Sequence, residues 1–214
     1  ILGFIHSMLP ALPLNFIKKD GSPDYIFLSG EAQKRLFIRY LGWNKNQIKV
    51  IDSLRIKKKI DKKSNNSLFF SMYFIDNLNL INAFKNFLNL QKRKIPKIVV
   101  KKHPQMMENK NQLSLEMKIT ELININKKKF NNSIKKKFSY HLGPTSAFIQ
   151  YLENKMHAIH FTSTPFLDVY TKKIWRDIIP LQINQFTYRY KLNRKKQILR
   201  LSKKNYDIQK ARIL

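Results

Sequence analysis

The chain has 214 residues, of which 43% are hydrophobic and 12% aromatic, so it is long enough and apolar enough to bury a core. It carries 42 Lys and Arg against 13 Asp and Glu, a formal charge of +29, and it contains no cysteine. This composition excludes a disulfide framework, a thiolate nucleophile and a cysteine-ligated zinc, and it argues against an intrinsically disordered chain.

The positive charge does not by itself identify a partner. A basic surface is typical of proteins that bind nucleic acid, anionic lipid or phosphorylated ligands. Ile, Lys and Asn are abundant here while there are only 5 Gly, a bias that adenine- and thymine-rich codons produce without selection for a basic surface. Lysine carries most of the charge, and lysine is a weaker indication of bidentate phosphate or base recognition than arginine.

The first 17 residues are mostly apolar, but the pattern does not predict a membrane span or a signal segment. His6, Pro10 and Pro13 interrupt the run, and no basic region precedes it. Because the chain begins inside this run without Met, we expect that part of the first domain precedes it.

A strand, helix, strand unit is predicted next. The sequence DYIFLSGEAQKRLFIRYLGW predicts a short strand from Asp24, a turn at Ser29 and Gly30, and a helix that ends at Gly42. QIKVIDSLR predicts the second strand, so we expect a parallel pair joined by a right-handed crossover.

The remaining chain continues the alternation after a polar, charged linker. Strands are predicted over 68–74, 97–101, 138–142 and 157–161, and helices from Asp76 or Asn77, over about 112–125 and over 145–155. We therefore expect an α/β protein with parallel sheets. The predicted division is a first domain over 1–55, a linker over 56–67, a second domain over 68–185 and a basic tail, helical at its end, over 186–214.

Two loops leave predicted strands where open parallel sheets bind ligands, outside the carboxyl ends. The first contains Lys102, His103 and Pro104, and the second contains Gly143, Thr145 and Ser146. Hydroxyls and free N–H groups at a helix N-terminus attract anions. Taken singly, Thr145 and Ser146 are explained as an ordinary N-cap, and His103 is explained as an ordinary turn residue. Because the two loops occupy matching places in successive units, together they predict a phosphate site.

Other residue patterns exclude several common chemistries. The chain has neither GxxxxGK[ST] nor GxGxxG, which argues against a kinase, a GTPase or an ordinary dinucleotide enzyme. The histidines at 141, 157 and 160 lack metal-ligand spacing, and we assign them core or surface roles. The acids at 153, 168 and 177 are isolated, so a two-carboxylate glycosidase has little support.

Four further residues are candidates for a cleft between the two predicted domains. His6 and Ser7 close the first apolar run, Arg55 ends the second predicted strand, and Ser71 lies in the strand predicted over 68–74. Arg55 is equally well explained as a solvated residue at the end of a strand.

Five motifs together resemble a known family. In chain order they are IHSMLP, SPDYIFLSGEAQKRLFIRYLGW, IKVIDSLR, IVVKKHP and GPTSAFIQYLENKMHAIHF, over roughly residues 1–165. They resemble GT-B fold glycosyltransferases of bacterial surface carbohydrate synthesis, including capsule, sialyltransferase-like and polyglycerolphosphate transferase-like enzymes. The resemblance implies two Rossmann-like domains, the first only partly present.

The resemblance also implies roles for individual residues. His103 would contact the donor phosphate, Thr145 and Ser146 would form a hydroxyl clamp, and His6 would face the catalytic cleft as the one nameable candidate for a general base. Relatives commonly carry a glutamate, a glycine and a proline where this chain has Gln150, Lys155 and His157.

The expected activity is transfer of a sugar from a CMP-, CDP- or UDP-linked donor to a surface polysaccharide or glycolipid. No cofactor or metal is expected, and the enzyme would be cytoplasmic and peripheral to the anionic inner membrane. Two alternatives stay open: a catalytically inactive relative, and a basic nucleic-acid-binding module. The second lacks a recognisable helix-turn-helix, aromatic RNP motif or zinc ligand set, so no specific nucleic acid is expected.

Overall fold

The computed structural model describes residues 1–5, 10, 14–53, 66–71, 77–101, 110–134, 138–193 and 198–200. The described strands are β1 (Leu2–Ile5), β2 (Tyr25–Leu28), β3 (Ile48–Val50), β4 (Ser67–Phe70), β5 (Val99–Lys101), β6 (Phe138–Leu142), β7 (His157–Phe161), β8 (Ile178–Asn184) and β9 (Thr187–Leu192). The described α-helices are α1 (Glu31–Tyr40), α2 (Asn77–Asn89), α3 (Lys110–Ile125), α4 (Phe148–Glu153) and α5 (Pro165–Asp168).

The first sheet contains three parallel strands in the order β1-β2-β3. Helix α1 covers one face of it, because Phe37 and Leu41 share a buried cluster with Ile26 and Leu28 of β2. Gly42 follows the helix with φ +73°, a left-handed conformation that glycine adopts without steric cost. The predicted strand, helix, strand unit is therefore present.

The second sheet contains six strands in the order β5-β4-β6-β7-β9-β8. Its first four strands are parallel, which confirms an α/β protein with mostly parallel sheets. Strands β9 and β8 are antiparallel additions. Strand β9 lies within the segment 186–214, where a basic tail with a helical end was expected. Thr187 and Tyr190 of this strand are fully buried. Aromatic and β-branched residues favour strands, which explains why this part of the segment joins the sheet.

The two faces of the second sheet carry different helices. Alternate strand residues such as Leu68, Tyr140 and Phe161 form one core cluster with α2 and α3. On the opposite face, Ala158 and Tyr190 pack with α4 and with residues 169–175. The spacing of Leu78, Ile81, Phe84 and Leu88 predicts a single apolar stripe along α2, but Leu78 is 65% exposed.

The first sheet packs on the second through the cluster that contains Ala158, Tyr190 and the buried residues of α4. Ala32 and Leu36 of α1 are buried together with Phe148 and Tyr170. The guanidinium of Arg35 also pairs with Asp177, close to the start of β8. Helix α1 therefore contributes residues to two buried clusters, one with the strands of the first sheet and one with the second unit.

A short C-terminal segment, residues 198–200, connects the two sheets further. The Arg200 amide donates to the Ser29 carbonyl at 2.8 Å, and the Ser53 amide donates to the Arg200 carbonyl at 2.8 Å. From the second unit, Glu153 Oε1 accepts the amides of Ile198 and Leu199. The segment thus bridges α4 and the carboxyl ends of β2 and β3.

None of the helices in the described part of the chain combines the length and the apolar character needed to cross a bilayer.

Candidate functional site

The strands that precede the two predicted loops end at the same edge of the second sheet. Lys101 of β5 pairs with Phe69 of β4, and Leu142 of β6 pairs with Phe70. Strand β4 therefore lies between the ends of β5 and β6.

The carboxyl ends of β4 and β6 form a topological switch point. The chain passes from β4 to α2 on one face of the sheet, and from β6 to α4 on the other. Adjacent parallel strands whose following helices lie on opposite faces leave a crevice between their loops, and open α/β sheets bind ligands there. We call this position the β4–β6 crevice.

The loop after β6 is held in place on both sides. Gly143 has φ +76°, and its amide donates to the Phe161 carbonyl of β7 at 2.8 Å. The Ser71 hydroxyl at the end of β4 donates to the Pro144 carbonyl at 2.5 Å. Ser71, a cleft candidate, therefore supports the loop from the β4 side of the crevice.

A buried histidine that we had assigned only a core or surface role also holds this loop. His160 Nε2 lies 2.9 Å from the Gly143 carbonyl, which can only accept, so this nitrogen carries the proton. Nδ1 then accepts from the Tyr190 hydroxyl at 3.2 Å. Burial lowers the pKa of His160, which favours the neutral ring that this pairing needs. No local sequence signal distinguishes this histidine from an ordinary core residue.

Thr145 and Ser146 lie in a turn before α4. The helix was predicted over 145–155 but begins at Phe148. Thr145 Oγ1 accepts the amide of Ala147 at 3.1 Å, a local side-chain bond that competes with helical pairing. Both side chains are half-buried, and the Ser146 hydroxyl has no bond to another described group. They remain at the mouth of the β4–β6 crevice.

The other predicted site residues lie outside the described part of the chain. They are His6, Ser7, Arg55, Lys102, His103 and Pro104. Lys101, the last residue of β5, lies with its ammonium 5.7 Å from the centre of the Phe69 ring. Pro10 is described, and its carbonyl accepts Trp175 Nε1 at 2.9 Å, which ties the loop after β1 to the second unit.

Lys155 has a backbone conformation that explains why a glycine is expected there. It follows Asn154, the C-cap of α4, and has φ +60°. Its amide donates to the Leu152 carbonyl, and the Met156 amide donates to the Tyr151 carbonyl, the two bonds of a Schellman motif. The position requires a left-handed backbone conformation, which residues other than glycine adopt at a cost in free energy.

Replacing Lys155 with glycine is therefore expected to stabilise the protein by about 1 kcal/mol in urea unfolding. Lys173 is a matched control, since it is an exposed lysine with no positive φ. Lys173→Gly is expected to be neutral or slightly destabilising. Equal effects of the two substitutions would contradict the account of Lys155.

A cavity of about 290 Å³ lies beside β3 on the first unit. Its lining contains Lys34, Lys45, Lys49, Arg200 and a single carboxylate, Glu31. The Arg200 guanidinium pairs with Glu31 at 2.9 Å. Of the predicted phosphate-site residues that the structure describes, none lines this cavity.

Within the described residues there is no group of three His, Cys, Asp or Glu side chains that could hold a metal ion. Comparison with protein-family models, with curated proteins and with solved structures yields no match.

Proposed function

We propose that the chain is part of a GT-B type glycosyltransferase that uses a nucleotide-sugar donor and holds the donor phosphate at the β4–β6 crevice. The observation that carries the proposal is the braced loop Gly143–Ser146 at the topological switch point of a mostly parallel sheet. A second parallel sheet packed beside it suits the two-domain plan that the motifs suggest.

The proposed chemistry needs charge stabilisation at the leaving phosphate. As the glycosidic bond breaks, negative charge grows on the phosphate oxygens, and donors already fixed in place stabilise it without reorganisation. The hydroxyls of Thr145 and Ser146 supply two donors from the β6 side. Lys102 and His103, which follow β5, supply the cationic side at the same edge of the sheet.

The acceptor would bind at the first sheet. Its loop after β1 carries His6, the candidate general base for the acceptor hydroxyl, and Pro10 in that loop contacts Trp175. From the resemblance, the acceptor is a growing surface polysaccharide or a glycolipid, and the enzyme works in the cytoplasm at the inner membrane.

We expect CMP, CDP or UDP to raise the melting temperature of the protein. A ligand at 100 times its Kd adds about 2.7 kcal/mol, roughly 5–10 °C for a chain of this size. His103→Ala and the double change Thr145→Ala with Ser146→Ala are each expected to weaken binding about tenfold. The matched control is the double change Ser114→Ala with Thr120→Ala on the exposed side of α3, which should bind as the unchanged protein does.

Two results would count against the proposal. If none of the three nucleotides shifts the melting curve, the phosphate site is not there. If instead the protein binds polynucleotides with an affinity that falls steeply with salt and ignores mononucleotides, the basic nucleic-acid-binding module is the better explanation. Nucleotide binding without sugar transfer to any matched acceptor would identify the inactive relative.

A further inference from the structure

The outer edge of β3 lines the cavity of about 290 Å³ on the first unit, which we call the β3 cavity. Strand β3 pairs with β2 on one side, and no other described strand pairs with its second side. The Ile51 amide donates to the Leu28 carbonyl of β2 at 2.9 Å, and successive residues of a strand direct their backbone groups to alternate sides. The amide and the carbonyl of Val50 therefore point away from β2, to the free edge.

Backbone carbonyls fix two cations along this edge. Lys34 Nζ donates to the Ile48 carbonyl at 3.2 Å, and the Arg200 guanidinium donates to the Val50 carbonyl at 3.2 Å. A lysine ammonium has three N–H groups and a guanidinium has five, so both cations keep donors for a further partner. The Val50 amide is an additional donor, since no group accepts its hydrogen within the described structure.

The charges around the β3 cavity do not balance. Its described lining contains one acid, Glu31, which pairs with Arg200 at 2.9 Å. The cations of the lining are Lys34, Lys45, Lys49 and Arg200, an excess of three positive charges. None of the three lysines lies within ion-pair distance of an acid in the described part of the chain. Cations and a free backbone amide that converge on one concave site have the chemistry of an anion site.

The charge and the size of the cavity define the class of anion. A phosphate monoester carries about 1.5–2 negative charges at pH 7, so an excess of three positive charges matches two phosphate groups better than one. Pockets for drug-sized ligands measure about 300–1,000 Å³, so a cavity of about 290 Å³ suits a compact ligand. Both properties indicate a small diphosphate.

We propose that the β3 cavity binds a small diphosphate. The phosphate oxygens accept hydrogen bonds from Lys34, Arg200 and the Val50 amide, and the exposed ammonium groups of Lys45 and Lys49 add positive charge. The first two cations are already held by strand carbonyls, so less side-chain freedom is lost when the ligand binds. The site is independent of the proposed function, because the described residues of the loop after β6 do not line it.

Labelling of valine with ¹⁵N tests where the ligand binds, because the chain has only four valines, at 50, 99, 100 and 169. During titration of the full chain with inorganic pyrophosphate at about 0.15 M salt, we expect the Val50 amide signal to move to lower field as it donates to the anion. The signal of the buried Val169 should stay in place. Val50→Ile removes one signal and so assigns it. A Val50 signal that stays in place at saturating pyrophosphate overturns the proposal.

Calorimetry with charge-neutral variants tests the lysines. Lys34→Gln with Lys49→Gln is expected to weaken pyrophosphate binding about tenfold. Lys45→Gln with Lys49→Gln should act in the same direction without disturbing the fold, because both residues are exposed and neither is bonded in the described structure. The matched control is Lys118→Gln with Lys172→Gln, which removes the same charge from exposed positions elsewhere. A control that loses as much affinity as the cavity variants shows a diffuse charge effect and overturns the site.

A change that strengthens binding excludes misfolding as the explanation. Glu31→Gln removes the acid of the described lining and is expected to tighten pyrophosphate binding about threefold. Unchanged or weaker binding by this variant contradicts the charge argument.

Three further results would overturn the proposal. The first is equal affinity for inorganic phosphate and pyrophosphate, which shows that no second phosphate is recognised. The second is binding of phosphatidylglycerol vesicles through the cavity lysines without binding of pyrophosphate, which identifies a membrane contact instead. The third is loss of the Val50 shift in Thr145→Ala with Ser146→Ala, which places the ligand at the β4–β6 crevice. If nucleotides fail to bind while the Val50 shift persists, the proposed function is wrong and the diphosphate site stands.

Discussion

Replacing Gly30 with alanine is expected to lower the free energy of unfolding by about 3 kcal/mol, the upper end of the range for overpacking. A Cβ built on Gly30 would lie 2.0 Å from the carbonyl oxygen of Ile198 and 3.1 Å from its carbonyl carbon. The backbone of Gly30, with φ −152° and ψ 141°, is in a region open to any residue, so the cost comes from this close approach alone.

The neighbouring chain has little freedom to move away from such a Cβ. Ile198 and Leu199 are fully buried, and their amides are held by Glu153. Arg200 is paired to Ser29 through its amide. Relief of the clash therefore requires the segment 198–200 to leave its place between the two sheets.

Urea unfolding monitored by tryptophan fluorescence measures the effect, and Gly21→Ala is the matched control. Gly21 has open space around its missing Cβ but a φ of +80°, so alanine there costs only the backbone strain, about 1 kcal/mol. If Gly30→Ala were no more destabilising than Gly21→Ala, the docking of 198–200 against Gly30 would be wrong.

Local patterns predicted the regular part of the fold well. Strands over 138–142 and 157–161 were predicted with the observed bounds, because FSYHL and HAIHF are short segments rich in aromatic and apolar residues, each followed by a turn sequence. Helix α1 and its termination just before Gly42 followed from helical spacing and from a glycine at the capping position.

Long-range structure was harder to predict, for physical reasons. Strand β9 alternates aromatic residues with Arg189 and Lys191, and in so basic a chain these charges concealed the strand pattern. The contact of residues 198–200 with Gly30 joins positions far apart in the chain, and no local period encodes such a contact. The order β5-β4-β6 likewise depends on how the helices pack.

The candidate site was predicted in part. The sequence motifs placed two loops at carboxyl ends of strands, and the structure shows β5 and β6 ending at one edge on either side of β4. The support that His160 gives to the loop after β6 was not predicted, because this bond joins residues of neighbouring strands and the segment HAIHF carries no local sign of it.

His141 is expected to make the protein sensitive to acid. Its side chain is fully buried, its ring stacks on Phe69 with centres 5.3 Å apart, and neither ring nitrogen has a partner within the described residues. Burial lowers the pKa of His141 well below the ordinary value of 6.5, and the neighbouring His160 lowers it further. Below pH 6.5 the unfolded chain therefore binds a proton that the folded chain does not, and stability falls as the pH drops toward the pKa of the folded state.

The expected slope is at most about 1.4 kcal/mol per pH unit for this one group. His160, whose pKa burial also lowers, adds a loss of the same sign. Glu153 acts in the opposite sense, because burial raises the pKa of its carboxyl and protonation then favours the folded state. The contribution of His141 must therefore be isolated by substitution.

Replacing His141 with phenylalanine keeps an aromatic ring among Phe69, Phe148 and Tyr151 and removes two unpaired polar atoms. We expect His141→Phe to be at least as stable as the unchanged protein at pH 7 and to lose less stability between pH 6.5 and pH 5, by up to about 1.4 kcal/mol per unit. Urea unfolding at half-unit steps of pH measures both curves. Tyr151→Phe alters the same cluster without removing the imidazole, so its free energy of unfolding should keep the original dependence on pH. If the pH dependence of His141→Phe were parallel to that of the unchanged protein, the histidine would be paired or protonated in the folded state.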